Sequence, residues 1–398
     1  MNFCLPPPVL FALKTLNEAG YEAYVVGGCV RDILMGRTPY DWDITTSALP
    51  EQTLTVFNDQ QTITTGLKHG TVTVMIENMP LEITTYRLDG TYSDGRHPDS
   101  VVFTPSLEED LKRRDFTINA MAYHPDLGLI DFHNGKADLE FGILRCVGDP
   151  SRRFNEDALR ILRGIRFSSC LGFAIEPLTA EAIHTFCHNL HQVAIERIQV
   201  EFIKSLCGDH ADTVLLEYQD VISEFLPLNI IDPNRFTLLK RVSPTPLLRL
   251  SVLFWGENTD DVACCLKETL RLSHHLAADV CALIGHANSV LPDSDSQLLY
   301  LLNQLGVDLS LSWLTVRSAV DLMNYTHLEQ RIHHLVDSGH CFSLAQLAVN
   351  GTDLIQWGLN PGPNIGDTLN HLLSAVIEGN CENNIDALKE YVKKKPVQ

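Results

Sequence analysis

Two aspartates stand one residue apart in the segment 40–44, Y-D-W-D-I. Side chains alternate between the two faces of a strand, so on a strand Asp41 and Asp43 project from one face and the apolar residues from the other. Adjacent carboxylates repel each other unless a cation lies between them, and Mg²⁺ prefers oxygen ligands. The pair is therefore a candidate metal clamp, although an Asp-x-Asp pair is more often found on a solvated loop.

A glycine pair precedes these aspartates in the stretch 24–32, Y-V-V-G-G-C-V-R-D. The stretch predicts a buried strand, a tight turn and a short helix. Glycine at such a turn lets backbone N–H groups approach a phosphate, and a guanidinium beside it adds charge. Gly28 and Arg31 are therefore candidate phosphate-binding residues. A dinucleotide-binding fingerprint is excluded, because the third glycine of G-x-G-x-x-G is missing.

The order G-G-x-V-R-D and then D-W-D resembles the signature of nucleotidyltransferases with a polymerase-beta-like head. More narrowly, it resembles the class II tRNA nucleotidyltransferases (CCA-adding enzymes) and bacterial poly(A) polymerases. The resemblance implies that Asp41 and Asp43 hold Mg²⁺, that the partner is the 3′ end of tRNA rather than DNA, and that the substrates are CTP and ATP. Full CCA-adding enzymes have a loop of D-G-R-x-P sequence, matched here at 94–98, that is associated with the final A addition.

The segment 113–122, R-R-D-F-T-I-N-A-M-A, resembles the second motif of the same family. Arg114 is suited to neutralise a phosphate. Asp115 and Asn119 are four residues apart, so on a helix they share one face and offer an acceptor and an amide to a ribose hydroxyl. The alternative is an amphipathic helix with a solvated basic end.

A second helix with charged residues is predicted over 154–167, where Ala158 to Ile165 supply an apolar stripe. Asp157 and Arg160 are neighbours at i, i+3. Cytosine and adenine present an exocyclic amine beside a ring-nitrogen acceptor, which an Asp–Arg pair matches; guanine and uracil do not. A surface salt bridge is the alternative. The segment also resembles the nucleotide-selecting helix of the family, which implies that Arg163 and Arg166 contact the nucleotide.

Two strand-like runs, 71–76 and 81–86, are separated by E-N-M-P and predict a β-hairpin. Within the second run Glu82 alternates away from its apolar neighbours. It is therefore a candidate third carboxylate beside Asp41 and Asp43, and an exposed strand glutamate is an equally good interpretation.

The composition sets wider limits. The chain has 398 residues, 45% of them apolar, a net charge of −20 and eleven cysteines without a C-x-x-C pair. No signal sequence or run of about 18 apolar residues is present, so we expect a cytoplasmic protein with reduced thiols and no membrane partner. The negative charge opposes non-specific binding of nucleic acid. RNA binding then requires local clusters of cations, such as those at 112–114, 152–153 and 160–166.

We expect an α+β protein with an N-terminal head built on a mixed sheet, followed by helical domains. The predicted divisions are the catalytic head (1–148), a neck with the selecting helix (149–205) that Pro150 separates from the head, a helical body (206–310) and a tRNA-binding tail (311–398). A poly(A) polymerase, an enzyme that adds only A and a non-catalytic RNA-binding module are the alternatives. The aspartate pair counts against the last of these, and the sequence leaves the oligomeric state open.

Overall fold

The computed structural model describes residues 3–89, 101–227 and 231–394. It contains two compact units, Met1–Leu228 with Glu268–Arg271, and Asn229–Lys267 with Leu272–Gln398. The D-G-R-x-P sequence at 94–98 lies outside the described residues. Every candidate site residue lies in the first unit, which includes both the predicted head and the predicted neck.

Among the described residues, the strands all lie in the first unit. In chain order they are β1 (Ala23–Val26), β2 (Asp43–Thr46), β3 (Gln61–Ile63), β4 (Thr71–Ile76), β5 (Met79–Thr85), β6 (Arg87–Asp89), β7 (Val101–Phe103), β8 (Ala122–His124), β9 (Gly128–Ile130), β10 (Ile143–Leu144) and β11 (Ala174–Ile175). Seven of them form one sheet in the order β3-β4-β5-β2-β1-β8-β9. Within it β2 and β5 are parallel and the other neighbours are antiparallel, so the predicted mixed sheet is confirmed.

The predicted hairpin is formed by β4 and β5, and β5 begins at Met79, two residues earlier than expected. Glu77 and Asn78 connect the strands with φ values of 50° and 65°. Positive φ at both central residues is the requirement of a type I′ turn, whose twist suits an antiparallel pair. Alternate residues of β4 are buried in the core of the head.

Both units contain α-helices. In chain order they are α1 (Pro7–Glu18), α2 (Gly28–Leu34), α3 (Pro50–Val56), α4 (Leu107–Lys112), α5 (Gly135–Phe141), α6 (Pro150–Glu156), α7 (Leu159–Leu171), α8 (Pro177–Phe186), α9 (Ile195–Leu206), α10 (Ala211–Glu217), α11 (Gln219–Ser223), α12 (Asn234–Leu238), α13 (Pro246–Leu253), α14 (Thr259–Cys264), α15 (His274–Gly285), α16 (Asp295–Asp321), α17 (Thr326–Asp337), α18 (Gly351–Gln356), α19 (Pro363–Ile377) and α20 (Ile385–Lys394). Within the described ranges, none of them is both long and apolar enough to cross a membrane.

The chain enters the neck differently from the prediction. Pro150 begins α6 instead of breaking the chain, because proline suits the first position of a helix and Asp149 caps that helix through the N–H of Ser151. The helix expected over 154–167 is two helices, since Asp157 between them has an extended backbone (φ −145°, ψ 103°). The apolar stripe of this region is nevertheless buried as predicted.

Candidate active site

The two aspartates lie at the start of β2. Asp43 is the first residue of the strand, and Asp41 is exposed in the connection that leads to it. Trp42 is 7% exposed and Ile44 is fully buried, and both belong to the core of the head. The predicted burial of Trp42 and Ile44 is confirmed, and these two residues anchor the start of β2 in the core.

Asp43 is the centre of a concentration of negative charge. Glu82 lies beside it in register on the parallel strand β5. Burial raises the pKa of Asp43 to about 6; Arg114 lowers it, and Glu82 and Asp41 raise it further. The positive charge of Arg114 is too small to offset the effects of burial and of the two neighbouring carboxylates on this pKa. A divalent cation beside Asp43 fits this site, because it would supply the missing positive charge.

The role of Glu82 as a third carboxylate stays a prediction. Across residues 3–89, 101–227 and 231–394, no three His, Cys, Asp or Glu side chains are arranged to hold a metal ion. Asp41 and Asp43 stay the predicted pair for Mg²⁺, and the charge of Glu82 raises the pKa of Asp43. A magnesium ion held by two carboxylates keeps places for water and substrate phosphates, which is its usual coordination in phosphoryl-transfer sites.

The turn between β1 and α2 brings the backbone close to the carboxylates. Gly27 has φ +82°, and a Cβ at this position would lie 3.1 Å from Nη1 of Arg114 and 3.9 Å from Oδ2 of Asp43. The positive φ favours glycine at this position, and a Cβ would also require the end of the Arg114 side chain to move by a few tenths of an ångström. A Cβ at Gly28, the residue predicted from the sequence, would meet only the Arg31 side chain at an ordinary 3.6 Å.

Arg31 on α2 is held by two partners. Its Nε and Nη2 donate to Oδ1 of Asp32 at 2.8 and 2.7 Å, and its Nη1 donates to Oδ1 of Asn119 at 2.8 Å. The guanidinium is therefore fixed against the residue predicted to bind ribose. It is half-buried beside the Gly27 turn, where a phosphate can approach.

Asp110 is a site residue that sequence reasoning missed. It is fully buried on α4, accepts two hydrogen bonds from Arg113 (3.0 and 2.9 Å), and pairs with Arg114 at 3.5 Å. It also accepts from the Thr45 hydroxyl of β2 at 3.2 Å. Burial raises its pKa, but Arg113 and then Arg114 outweigh burial, so the pKa lies below its usual value. The i, i+3 and i, i+4 spacing to the arginines is the signal that could have identified Asp110.

Asp115 and Asn119 meet, although they do not share an α-helix. The helix α4 ends at Lys112, and Thr117–Asn119 is a single 3₁₀ turn. Nδ2 of Asn119 donates to Oδ1 of Asp115 at 3.3 Å.

Asp115 has further partners. It is buried, and its pKa is lowered to about 2: burial alone raises the pKa, whereas the Arg163 guanidinium and the Phe116 N–H lower it. Because the protein already occupies both oxygens, its contact with a ribose stays a prediction.

Asp157 and Arg160, the predicted base-selecting pair, are joined through the backbone, since the N–H of Arg160 donates to the carbonyl of Asp157 at 3.1 Å. The side chain of Asp157 accepts from the N–H of Leu159, the first residue of α7, at 3.1 Å, and its other oxygen accepts from Arg197 of α9 at 3.2 Å. The two side chains thus have different partners, Arg197 for Asp157 and Glu156 for Arg160, and their role in choosing the base stays a prediction. An aspartate beside a helix start can satisfy an N–H group that has no partner within the helix.

The arginines of α7 face carboxylates of the protein. Arg160 is 8% exposed, pairs with Glu156 at 2.9 Å and donates to the carbonyl of Arg113 at 3.1 Å. Arg163 pairs with Asp115 at 2.6 Å, and Arg166 pairs with Glu201 of α9 at 2.5 Å. The polar face of this helix is thus packed against the head and α9.

Comparison with protein families supports the class that the site defines. Residues 23–145 match the poly A polymerase head domain, residues 172–221 match the RNA and SrmB-binding site of polymerase A, and residues 251–392 match tRNA nucleotidyltransferase domain 2. A mixed sheet with paired carboxylates at its edge, within a head of this family, defines a nucleotidyltransferase.

Relatives of similar length narrow the class. The chain is 36% identical to a CCA-adding enzyme of Leuconostoc mesenteroides, covering 96% of this chain and 94% of the relative, and 34% identical to one of Bacillus cereus, covering 96% of both. It is similar to the crystal structure of the Bacillus stearothermophilus CCA-adding enzyme in complex with CTP, with a TM-score of 0.83, 32% identity and 98% of both chains covered. The chain therefore belongs to the family of CCA-adding enzymes.

Proposed function

We propose that this protein adds C, C and A to the 3′ end of tRNA without a nucleic-acid template, using CTP and ATP and releasing diphosphate. The observation that supports it most is the pair Asp41 and Asp43 at the edge of the head sheet, where negative charge exceeds what Arg114 compensates. The names of the full-length relatives agree with this activity.

Asp41 and Asp43 would hold Mg²⁺ at this edge. When bound, the ion lowers the pKa of the primer 3′-hydroxyl and neutralises charge on the triphosphate. The backbone at Gly27 and Gly28, together with Arg31 and Arg114, binds and orients the phosphates, because these groups surround the same turn.

The neck supplies the choice of base. In this proposal Asp157 accepts from the exocyclic amine of cytosine or adenine, and Arg160 donates to the adjacent ring nitrogen. Both side chains have protein partners in this structure, Arg197 for Asp157 and Glu156 for Arg160. Nucleotide binding must therefore replace or share these partners, and the choice of base depends on how firmly they are held.

The division into head (1–148), neck (149–205), body (206–310) and tail (311–398) is part of this proposal, with the body and tail binding the tRNA. A cytoplasmic location is also part of it, since an enzyme of tRNA maturation works where tRNA is. An enzyme that adds only A is the second candidate, because its head and neck need the same residues.

The test uses tRNA that lacks its last three nucleotides, incubated with the protein, Mg²⁺ and CTP, ATP, GTP or UTP in all combinations. The product ends are then sequenced. We expect CC with CTP alone and CCA with CTP and ATP together. Addition of A only to tRNA that already ends in CC supports the A-adding alternative, and long A tails support a poly(A) polymerase.

A further inference from the structure

The ring of Phe167 lies among three arginines of the proposed nucleotide site. The guanidinium carbons of Arg31, Arg163 and Arg166 are 5.3, 5.5 and 4.1 Å from its centroid. Arg31 belongs to α2 of the head, whereas the other two belong to α7, as does the ring. Phe167 is only 5% exposed, so its position is fixed by packing. One side chain thus contacts the cations of both elements.

Three cations gathered around one point repel each other, and the protein balances them in two ways. Each guanidinium has its own carboxylate, and the face of an aromatic ring carries negative potential that attracts a cation within about 6 Å. The ion pairs, with their N–O distances, are Arg31 with Asp32 (2.7 Å), Arg163 with Asp115 (2.6 Å) and Arg166 with Glu201 (2.5 Å). The carboxylates hold the arginines separately, and the ring is their shared contact.

The orientation of the ring is itself supported. Phe116 meets Phe167 edge to face, with centroids 5.8 Å apart and an angle of 81° between the planes. Phe116 packs against α7 at Gly164, where a Cβ would lie 3.1 Å from the Phe116 ring. A locked ring in turn restricts the guanidiniums that lie against it, which reduces the freedom they lose on binding a ligand.

We propose that Phe167 is a positioning residue that holds Arg31, Arg163 and Arg166 ready for the triphosphate of the incoming nucleotide, whichever base it carries. This inference rests on the proposed nucleotidyl transfer. CTP and ATP share the triphosphate, so the ring affects their binding equally. Choice between bases belongs to Asp157 and Arg160, so the ring does not affect it.

The first experiment compares Phe167→Leu and Phe167→Tyr. Leucine keeps an apolar side chain and removes the ring, so we expect KM for CTP and for ATP to rise about tenfold each, with kcat and the preference for CTP over UTP unchanged. Phe167→Tyr keeps the ring, so its KM for CTP and for ATP should stay near the wild-type values. The matched control is Phe173→Leu, which removes a ring packed near Phe116 but without a described contact to an arginine; its KM should not change.

A graded series keeps the test valid if the leucine variant fails to fold. Fluorinated phenylalanines at position 167 retain the shape of the ring and progressively withdraw electron density from its face. Affinity for CTP, measured by calorimetry without tRNA, should fall stepwise from phenylalanine to the mono-, di- and trifluoro analogues while the melting temperature stays constant.

The role of Phe167 is overturned if affinity for CTP does not change along the fluorinated series. It is also overturned if Phe167→Leu binds CTP as tightly as the wild type. Because CTP binding is measured apart from transfer, a protein that shows the graded series and yet extends no tRNA contradicts the proposed function and leaves the role of the ring intact.

Discussion

In the proposed reaction, the carboxylates at the start of β2 bind the metal ion, and Asp157 in the turn between α6 and α7 takes part in choosing the base. The two regions hold their aspartates in different ways. Asp43 is held by its strand, with apolar neighbours in the core and an uncompensated charge. Asp157 is held by hydrogen bonds from Leu159 and Arg197. The proposed metal-binding carboxylates of the head thus have little compensating charge, whereas the side chains proposed to select the base are paired with Arg197 and Glu156.

This difference predicts that mutations in the two regions affect different properties of the reaction. Changes at the edge of the sheet should remove the chemical step for every nucleotide, because the metal acts on groups that all nucleotides share. Changes at the turn should alter which nucleotide is used.

Asp43→Asn should lower the rate of C addition by about a thousandfold or more, equivalent to roughly 4 kcal/mol of transition-state stabilisation. Asparagine keeps the shape of the side chain, so the fold and tRNA binding should be retained. Single-turnover incorporation measures the rate, and filter binding measures affinity for tRNA. The control is Glu82→Gln, for which we expect a loss of less than about tenfold, since Glu82 acts through charge. Near-wild-type turnover of Asp43→Asn would remove the metal-clamp interpretation.

Asp110→Asn should lower the free energy of unfolding by about 3–5 kcal/mol, because Arg113 and Arg114 lose a buried ionic partner. Urea denaturation followed by circular dichroism measures this change. Glu109→Gln is the matched control on the same helix, since Glu109 makes only an exposed pair with Lys112, and should cost less than about 1 kcal/mol. Equal losses in the two variants would mean that Asp110 does not anchor the arginines.

Arg197→Met should reduce the preference for CTP over UTP by about fivefold, equivalent to roughly 1 kcal/mol, because Asp157 loses its ion-pair partner. The maximum rate with CTP should change little. Competition between the two nucleotides under single-turnover conditions provides the measurement. Arg271→Met removes the exposed pair that Arg271 forms with Glu196 on α9 and should leave the preference unchanged. A similar loss in both variants would point to a general disturbance of α9.

The raised pKa of Asp43 predicts the smallest effect, a dependence of metal stabilisation on pH. The pKa of about 6 in the folded protein lies above the unfolded value of about 3.9, so this group contributes less stability as pH rises from about 4 to above 6. Mg²⁺ should offset that loss. We expect Mg²⁺ to raise the melting temperature by a few degrees at pH 8 and less at pH 5. A rise of the same size in Asp43→Asn would contradict binding at this residue.

The sequence predicts the head well because the features concerned are local. Trp42 and Ile44 are buried as expected, although Trp42 precedes β2 and the strand itself is buried at Ile44, Thr45 and Thr46 without alternation. The glycine turn is predicted as well, and Gly27 has the positive φ that favours glycine. The approach of the Arg114 side chain to Gly27 is a long-range contact that the sequence does not show.

The neck is predicted less well for a related reason. The helical spacing over 154–167 predicts one continuous helix, but it does not show which partners the Asp157 side chain takes. In the structure these are the N–H of Leu159 and the side chain of Arg197, which lies forty residues further along the chain. Asp110 is missed in the same way, since its burial follows from packing against β2. Contacts between distant segments decide these cases.

The central claim is that Asp43 serves the chemical step and Asp157 the choice of base. Its most direct test is a single-turnover competition between CTP and UTP on tRNA ending at the discriminator base, with Asp157→Ala and Asp43→Asn compared side by side. We predict that Asp157→Ala loses about one to two orders of magnitude of its preference for CTP, since a good base contact is worth roughly 1–3 kcal/mol of discrimination. Asp43→Asn should lose rate with both nucleotides. If Asp157→Ala prefers CTP as strongly as wild type, the turn does not select the base, and the role of Arg160 is contradicted with it.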